Sequence, residues 1–124
     1  MYLHSIGTAV PPRAFSQDEV LTALEQTPRY HELTPRSRAL LRKVLGNRNG
    51  IETRHFALEK MPDAFVFEPD QMMARFQKHA PDLAETAARQ AIKKSGLPIS
   101  QIDALLVATC TGYLCPGLTS YLSQ

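Results

Sequence analysis

The stretch VATCTGYLCPGLTSYL, residues 107–122, decides the fold prediction for this chain. It continues an uninterrupted apolar run at residues 104–108, which is typical of a strand covered on both faces of a sheet. A thiol, Cys110, ends the strand, and a Gly/Pro turn with a second thiol, Cys115, leads into an amphipathic segment. Enzymes of the α/β class place their cavities at the carboxyl ends of such strands. The sequence therefore predicts an α/β fold with a cavity near these residues.

Composition limits the class of protein. The chain has 124 residues, of which 44% are hydrophobic and 21% charged, so residues 1–124 are expected to form one soluble domain or part of one. No apolar run reaches the roughly 18 residues of a membrane span, and the amino terminus lacks a signal-peptide layout. A cytoplasmic location is the expectation. A net charge of +2 is too small to indicate nucleic-acid binding.

Basic residues are concentrated in one part of the chain, between residues 36 and 54, where Glu52 is the single acid. This pattern has two interpretations: a local anion site, or the solvated face of a helix and its carboxyl-terminal turn. The basic residues of this cluster are Arg36, Arg38, Arg42, Lys43, Arg48 and Arg54.

Helix signals are clear in the first half of the chain. Ser16 precedes Glu19 by three residues, which is a capping box, and the helix is expected to stop near Thr27. Thr34 followed by Pro35 indicates a second helix start, with an apolar stripe at Leu40, Leu41, Val44 and Leu45.

Extended segments are predicted at residues 3–10 and 51–58, the second partly exposed, with a turn at 46–50 and a loop at 59–69. From residue 70 a helical pattern returns, interrupted at Pro81, and its second part carries an alanine stripe that permits close approach of another backbone. Gly96 is the expected left-handed stop of this helix.

Several motifs together resemble one family. IGTAVPP (residues 6–12), GIETRHF (50–56) and IDALLVATCTG (102–112) followed by CPGL resemble type III polyketide synthases, the relatives of chalcone synthase. The resemblance implies the N-terminal portion of a thiolase-like αβαβα sandwich that works as a homodimer. It also implies an acyltransferase that loads an acyl group from coenzyme A onto a cysteine and extends it with malonyl-CoA by decarboxylative Claisen condensation. Acyl-CoA and malonyl-CoA are then substrates, and no cofactor is implied.

The resemblance assigns roles to individual residues. The nucleophilic cysteine and its His and Asn partners would lie beyond Gln124, so the chain alone is expected to be inactive. Cys110, Thr111 and Cys115 would line the substrate cavity, with Cys115 facing the partner's cavity across a dimer interface and preceding a cis proline. The turn residues would be Gly112, Pro116 and Gly117, and the coenzyme A phosphates would be bound by Arg42, Lys43 and Arg48, although the spacing here is one residue longer than usual.

Other interpretations remain open at this point. A ketoacyl synthase III-like condensing enzyme shares a strand of this type, and a non-catalytic half-domain that pairs with a partner would use the same apolar faces. A zinc site built from Cys110, Cys115 and two histidines has poor ligand spacing, so no metal is expected. The two cysteines lie only five positions apart, and we expect free thiols.

Overall fold

The computed structural model describes residues 2–46, 50–110 and 112–123. They form two compact units, which we call the central unit, Pro11–Phe67, and the terminal unit, Met1–Val10 with Glu68–Gln124. Two residues with predicted roles, Arg48 and Thr111, lie outside the described residues.

The central unit consists of short helices and a two-stranded antiparallel sheet. Its elements are β1 (Ala14–Ser16), α1 (Gln17–Glu25), α2 (Pro28–Glu32), α3 (Pro35–Gly46), β2 (Thr53–His55) and a 3-10 helix (Met61–Phe65). The most buried side chains among the described residues all belong to this unit, namely Tyr30, Gln17 and Met61.

The capping box predicts the start of α1 correctly. The backbone N–H of Glu19 donates to Ser16 Oγ at 3.1 Å, and Ser16 N–H donates back to Glu19 Oε2 at 2.7 Å. Thr34 accepts from the N–H of Ser37 at 3.2 Å at the start of α3, as its sequence also predicts. These bonds satisfy N–H groups that the first helical turn leaves without partners.

Strand β2 confirms the second extended segment, shortened to three exposed residues. It pairs with β1 in the register Ala14–His55 and Ser16–Thr53. The rings of Phe15 and Phe56 approach to 6.1 Å between centroids beside this pair. The predicted stripe of α3 is less buried than expected, because Leu40 is 61% and Val44 48% exposed.

The terminal unit is built on α4, which runs without interruption from Pro69 to Ser95. The predicted break at Pro81 is therefore wrong. A proline removes one backbone hydrogen bond and crowds the preceding turn, but the helical pattern resumes directly after it, so the helix continues through. The end of α4 is as predicted, since Gly96 adopts a left-handed conformation with φ of 71°.

The amino-terminal segment, predicted as a strand at residues 3–10, has no strand partner and packs along α4 instead. Ser5 Oγ donates to the carbonyl of Ala91 at 2.7 Å, and Thr8 N–H donates to Gln90 Oε1 at 2.7 Å. A Cβ at Gly7 would lie only 2.6 Å from the backbone nitrogen of Ala91. The alanine stripe thus admits another backbone, as its sequence predicts.

The apolar run at residues 104–108 differs most from its prediction. These residues form no strand and are exposed, with Leu106 at 94%. A strand covered on both faces needs neighbouring strands, and the described part of the terminal unit contains none. A 3-10 turn at Ile99–Gln101 precedes this run, and a short helix, α5 (Leu118–Leu122), follows it. Within the described residues, no helix is both long and apolar enough to cross a membrane.

Candidate functional site

Two of the three predicted coenzyme A residues, Arg42 and Lys43, lie on α3, which contains no acidic residue. The third, Arg48, is outside the described residues. Arg36, Arg42 and Lys43 are exposed, and Arg38 is half-buried. Arg42 and Lys43 are therefore placed together near the end of one helix. This places a dense positive charge on the surface of the central unit.

Arg42 is held by two residues that the sequence did not single out. Its Nε donates to Glu25 Oε1 at 2.7 Å, and the hydroxyl of Tyr30 donates to the same carboxylate oxygen at 3.1 Å. The Arg42 guanidinium carbon lies 5.8 Å from the centroid of the Tyr30 ring. Tyr30 is only 2% exposed, so the ion pair between Arg42 and Glu25 contacts a buried tyrosine.

The ion pair between Glu25 and Arg42 shifts the pKa of each group so that its charged form is favoured. The hydrogen bond from Arg42 lowers the pKa of the Glu25 carboxyl below its usual value, while burial opposes this shift. The same bond raises the pKa of Arg42. The carboxylate therefore stays ionised and the guanidinium stays charged at neutral pH.

One sequence signal could have identified Glu25. It lies four residues after Leu21 on α1, so it shares the apolar face of that helix. A carboxylate on an apolar face needs a charged or hydrogen-bonding partner. Nothing comparable marks Tyr30, because a buried tyrosine has the same sequence pattern as any core aromatic residue.

An open cavity of about 420 Å³ lies beside the end of α3. Asp18 and Glu52 contribute to its lining, and negative side chains oppose a phosphate. The end of a helix also carries partial negative charge, which adds to this effect. The buried amide of Gln17 has no hydrogen-bond partner, but both of its polar atoms are inaccessible to a water-sized group. The remaining lining residues are Ser16, Leu45, Gly46 and Ile51.

The predicted cavity-lining segment belongs to the terminal unit. Cys110 and Cys115 are both free and exposed. No hydrogen bond or ion pair joins either thiol to another described residue, and neither is paired with a histidine base of the kind that a nucleophilic cysteine needs. That neither thiol is the nucleophile stays a prediction.

Described residues near the two thiols make close contacts. Thr109 Oγ1 donates to the carbonyl of Gly112 at 2.6 Å. A Cβ at Gly112 would lie 2.7 Å from Cδ1 and Cδ2 of the Phe76 ring on α4. The Cys115–Pro116 peptide is cis, as the resemblance implies, and Gly117 is the N-cap residue of α5.

No group of three or more potential metal-binding side chains is found within residues 2–46, 50–110 and 112–123. The structure thus offers two separate candidate surfaces, the basic helix α3 in the central unit and the thiol-bearing turn in the terminal unit.

The chain is similar in sequence to several synthases. The chain is 30% identical to phloroglucinol synthase of Pseudomonas fluorescens over 112 residues, which is 90% of the chain and 31% of that protein. It is also 30% identical to a mycobacterial β-ketoacyl-[acyl-carrier-protein] synthase III of Mycobacterium avium, over 90% of the chain and 24% of that protein. No family model matches the chain.

Solved structures share the fold. PKS-I of the brown alga Ectocarpus siliculosus matches 97% of the chain and 34% of its own length, with a TM-score of 0.77 and 24% identity. A fungal type III polyketide synthase matches 98% of the chain and 32% of its own length, with a TM-score of 0.73 and 22% identity. The chain therefore spans between about a quarter and a third of the length of these proteins.

Proposed function

We propose that this chain forms the coenzyme A-binding and cavity-lining part of a condensing enzyme. The chain shares its sequence pattern and thiolase-like fold with the N-terminal part of type III polyketide synthases. The similarity to phloroglucinol synthase over 90% of the chain is the observation that carries this proposal. The enzyme is an acyltransferase that uses acyl-CoA and malonyl-CoA, needs no cofactor and acts as a cytoplasmic homodimer.

The reaction divides into two steps. An enzyme cysteine takes the acyl group from its CoA thioester and releases free CoA. Malonyl-CoA then loses carbon dioxide, and the resulting enolate carbon attacks the acyl-cysteine carbonyl, which forms a β-ketoacyl-CoA and returns the cysteine thiolate. This chain's own contribution is to bind the nucleotide part of both thioesters and to form part of the cavity wall.

Coenzyme A carries a pyrophosphate and a 3′-phosphate, which require several cations. The acid-free helix α3 supports binding of these groups, because arginine forks and lysine point charges both suit phosphate oxygens. The proposed phosphate-binding residues are Arg42, Lys43 and Arg48.

The cavity wall would come from the turn in the terminal unit. Cys110, Thr111 and Cys115 are small side chains without charge, which suits a wall around a reactive acyl chain. Gly112, Pro116 and Gly117 shape the turn. Cys115 would face the cavity of the partner subunit.

A double substitution tests the binding role. In the protein that carries this chain, Lys43→Ala with Arg48→Ala should raise KM for acyl-CoA about tenfold or more and leave kcat nearly unchanged, because it removes charge-assisted hydrogen bonds. Lys93→Ala on α4 is the matched control, since it removes an exposed lysine from the other unit. Unchanged kinetics in the double variant would contradict the assignment.

A ketoacyl synthase III-like activity is the second candidate, favoured by the similarity to the mycobacterial enzyme. The two activities differ in the extender they accept. Condensation with malonyl-CoA supports the first proposal, and condensation only with malonyl groups on an acyl carrier protein supports the second.

A further inference from the structure

The three side chains Glu25, Tyr30 and Arg42, which we call the Arg42 support, form a connected network on the central unit. One carboxylate oxygen of Glu25 accepts from both Arg42 Nε, at 2.7 Å, and the Tyr30 hydroxyl, at 3.1 Å. Because Tyr30 is almost completely buried, the hydrogen bond from its hydroxyl restricts the position of the Glu25 carboxylate. The position of Arg42 is thus determined by contacts with α1 and α2, not by its own helix alone.

Exposure differs between the two charged groups. The Glu25 side chain is 34% exposed and that of Arg42 is 62% exposed. The bond to Glu25 uses one of the five N–H groups of the guanidinium. Arg42 can therefore keep this bond while other N–H groups bind an anion from solution.

Fixing an arginine before it binds has an energetic consequence. A free arginine loses much side-chain conformational entropy when it grips a ligand, and a side chain that is already ordered loses less. An exposed ion pair by itself adds little to folding stability. A role in binding accounts for the Arg42 support better than a role in stability.

We propose that Glu25 and Tyr30 are positioning residues that hold the Arg42 guanidinium ready to bind a phosphate of coenzyme A. This inference rests on the proposed function, because it assumes that coenzyme A is the ligand. It adds two residues to the binding site that do not themselves touch the nucleotide.

Calorimetric titration of the protein that carries this chain tests the inference with two ligands, coenzyme A and pantetheine. Arg42→Ala should weaken coenzyme A binding about 10- to 100-fold, which corresponds to the loss of charge-assisted hydrogen bonds. Glu25→Gln and Tyr30→Phe should each weaken it about 2- to 10-fold, because Arg42 remains but is no longer ordered. Pantetheine, which has no phosphate, should bind all variants equally.

A double variant distinguishes a positioning role of Glu25 from a general loss of structure, because the two substitutions should not have additive effects on coenzyme A affinity. The double variant Glu25→Gln with Arg42→Ala should bind coenzyme A no more weakly than Arg42→Ala alone, because Glu25 acts only through Arg42. Glu85→Gln is the matched control, since Glu85 accepts from Arg89 Nε at 2.6 Å in an exposed ion pair on α4. This control should leave the affinity for coenzyme A unchanged.

The outcomes are distinguishable. If the unsubstituted protein does not bind coenzyme A, the proposed function fails and the inference fails with it. If Arg42→Ala weakens binding but Glu25→Gln leaves it unchanged or strengthens it, Glu25 does not position Arg42, while the proposed function stands. A loss that is additive in the double variant, or equal for pantetheine, would also overturn the inference.

Discussion

Helix α1 and the apolar run at residues 104–108 have equally clear sequence signals, yet only α1 takes its predicted form. The start of α1 is stabilised by the capping box of Ser16 and Glu19, which are three residues apart. The apolar run needs strands from elsewhere, and the described residues supply none beside it. A signal whose partners are close in sequence is sufficient for local structure, whereas a strand signal specifies an environment that other segments must provide.

The largest expected effect contrasts a buried apolar side chain with an exposed one. Met61 is 8% exposed and Leu106 is 94% exposed. Met61→Ala should lower the free energy of unfolding of the 124-residue chain by about 2–5 kcal/mol, because it leaves a cavity. Leu106→Ala should change it by less than about 0.5 kcal/mol. Urea denaturation measures both, and a similar loss in the two variants would show that residues 104–108 are packed.

A long-range contact gives the next largest effect. Gly7→Ala should lower the free energy of unfolding by about 1–3 kcal/mol, because the added Cβ overlaps backbone atoms of α4 that cannot rotate away. Gly46→Ala is the control, since a Cβ there meets no atom of the described residues within 4 Å. If both variants have the same stability, residues 2–10 do not pack on α4 as described.

The cap of α1 should have a smaller effect. Ser16→Ala removes the oxygen that accepts from Glu19 N–H, and it should cost about 1 kcal/mol of unfolding free energy. Ser100→Ala, at an exposed serine in the 3-10 turn, is the control and should change stability by less than about 0.5 kcal/mol. Equal values for the two variants would mean that the local signal does not stabilise α1.

The smallest expected effect is a pH dependence at the same cap. The backbone bond from Ser16 lowers the pKa of Glu19, so its carboxylate stabilises the fold above the ordinary value of 4.5, and this contribution is lost as the pH falls through the lowered pKa. Glu19→Gln should therefore lose less unfolding free energy between pH 7 and pH 3 than the unsubstituted chain does. An identical pH profile for Glu19→Gln and the unsubstituted chain would contradict the assignment.

The sequence predicts those parts of the fold whose determinants are local. Ser16, Thr34 and Gly96 mark helix ends correctly, since each acts within a few residues. Pro81 misleads because a proline prevents one hydrogen bond but not the continuation of a long helix. Residues 3–10 pack along α4 and not in a sheet, because an apolar segment ended by prolines does not specify whether its partner is a strand or a helix.

The candidate site was only partly predictable for a related reason. The basic character of α3 is visible in its composition, and the turn around Pro116 follows from the family resemblance. The position of Glu25 on the apolar face of α1 indicates that it needs a partner, but its contacts with Tyr30 and Arg42 depend on three helices meeting, and the sequence does not identify these partners. Side chains that act through another residue are therefore the ones that sequence reasoning misses.

The contact of Gly7 with α4 has a consequence for the variation that the protein tolerates. Because a single missing methyl group sets how closely the two segments approach, positions 7, 87 and 91 are coupled. In a library that randomises all three, functional clones should retain glycine at position 7 and small residues at the other two. An enlarged residue at any of them would push the segment off the helix and break the hydrogen bonds of Ser5 and Thr8 together.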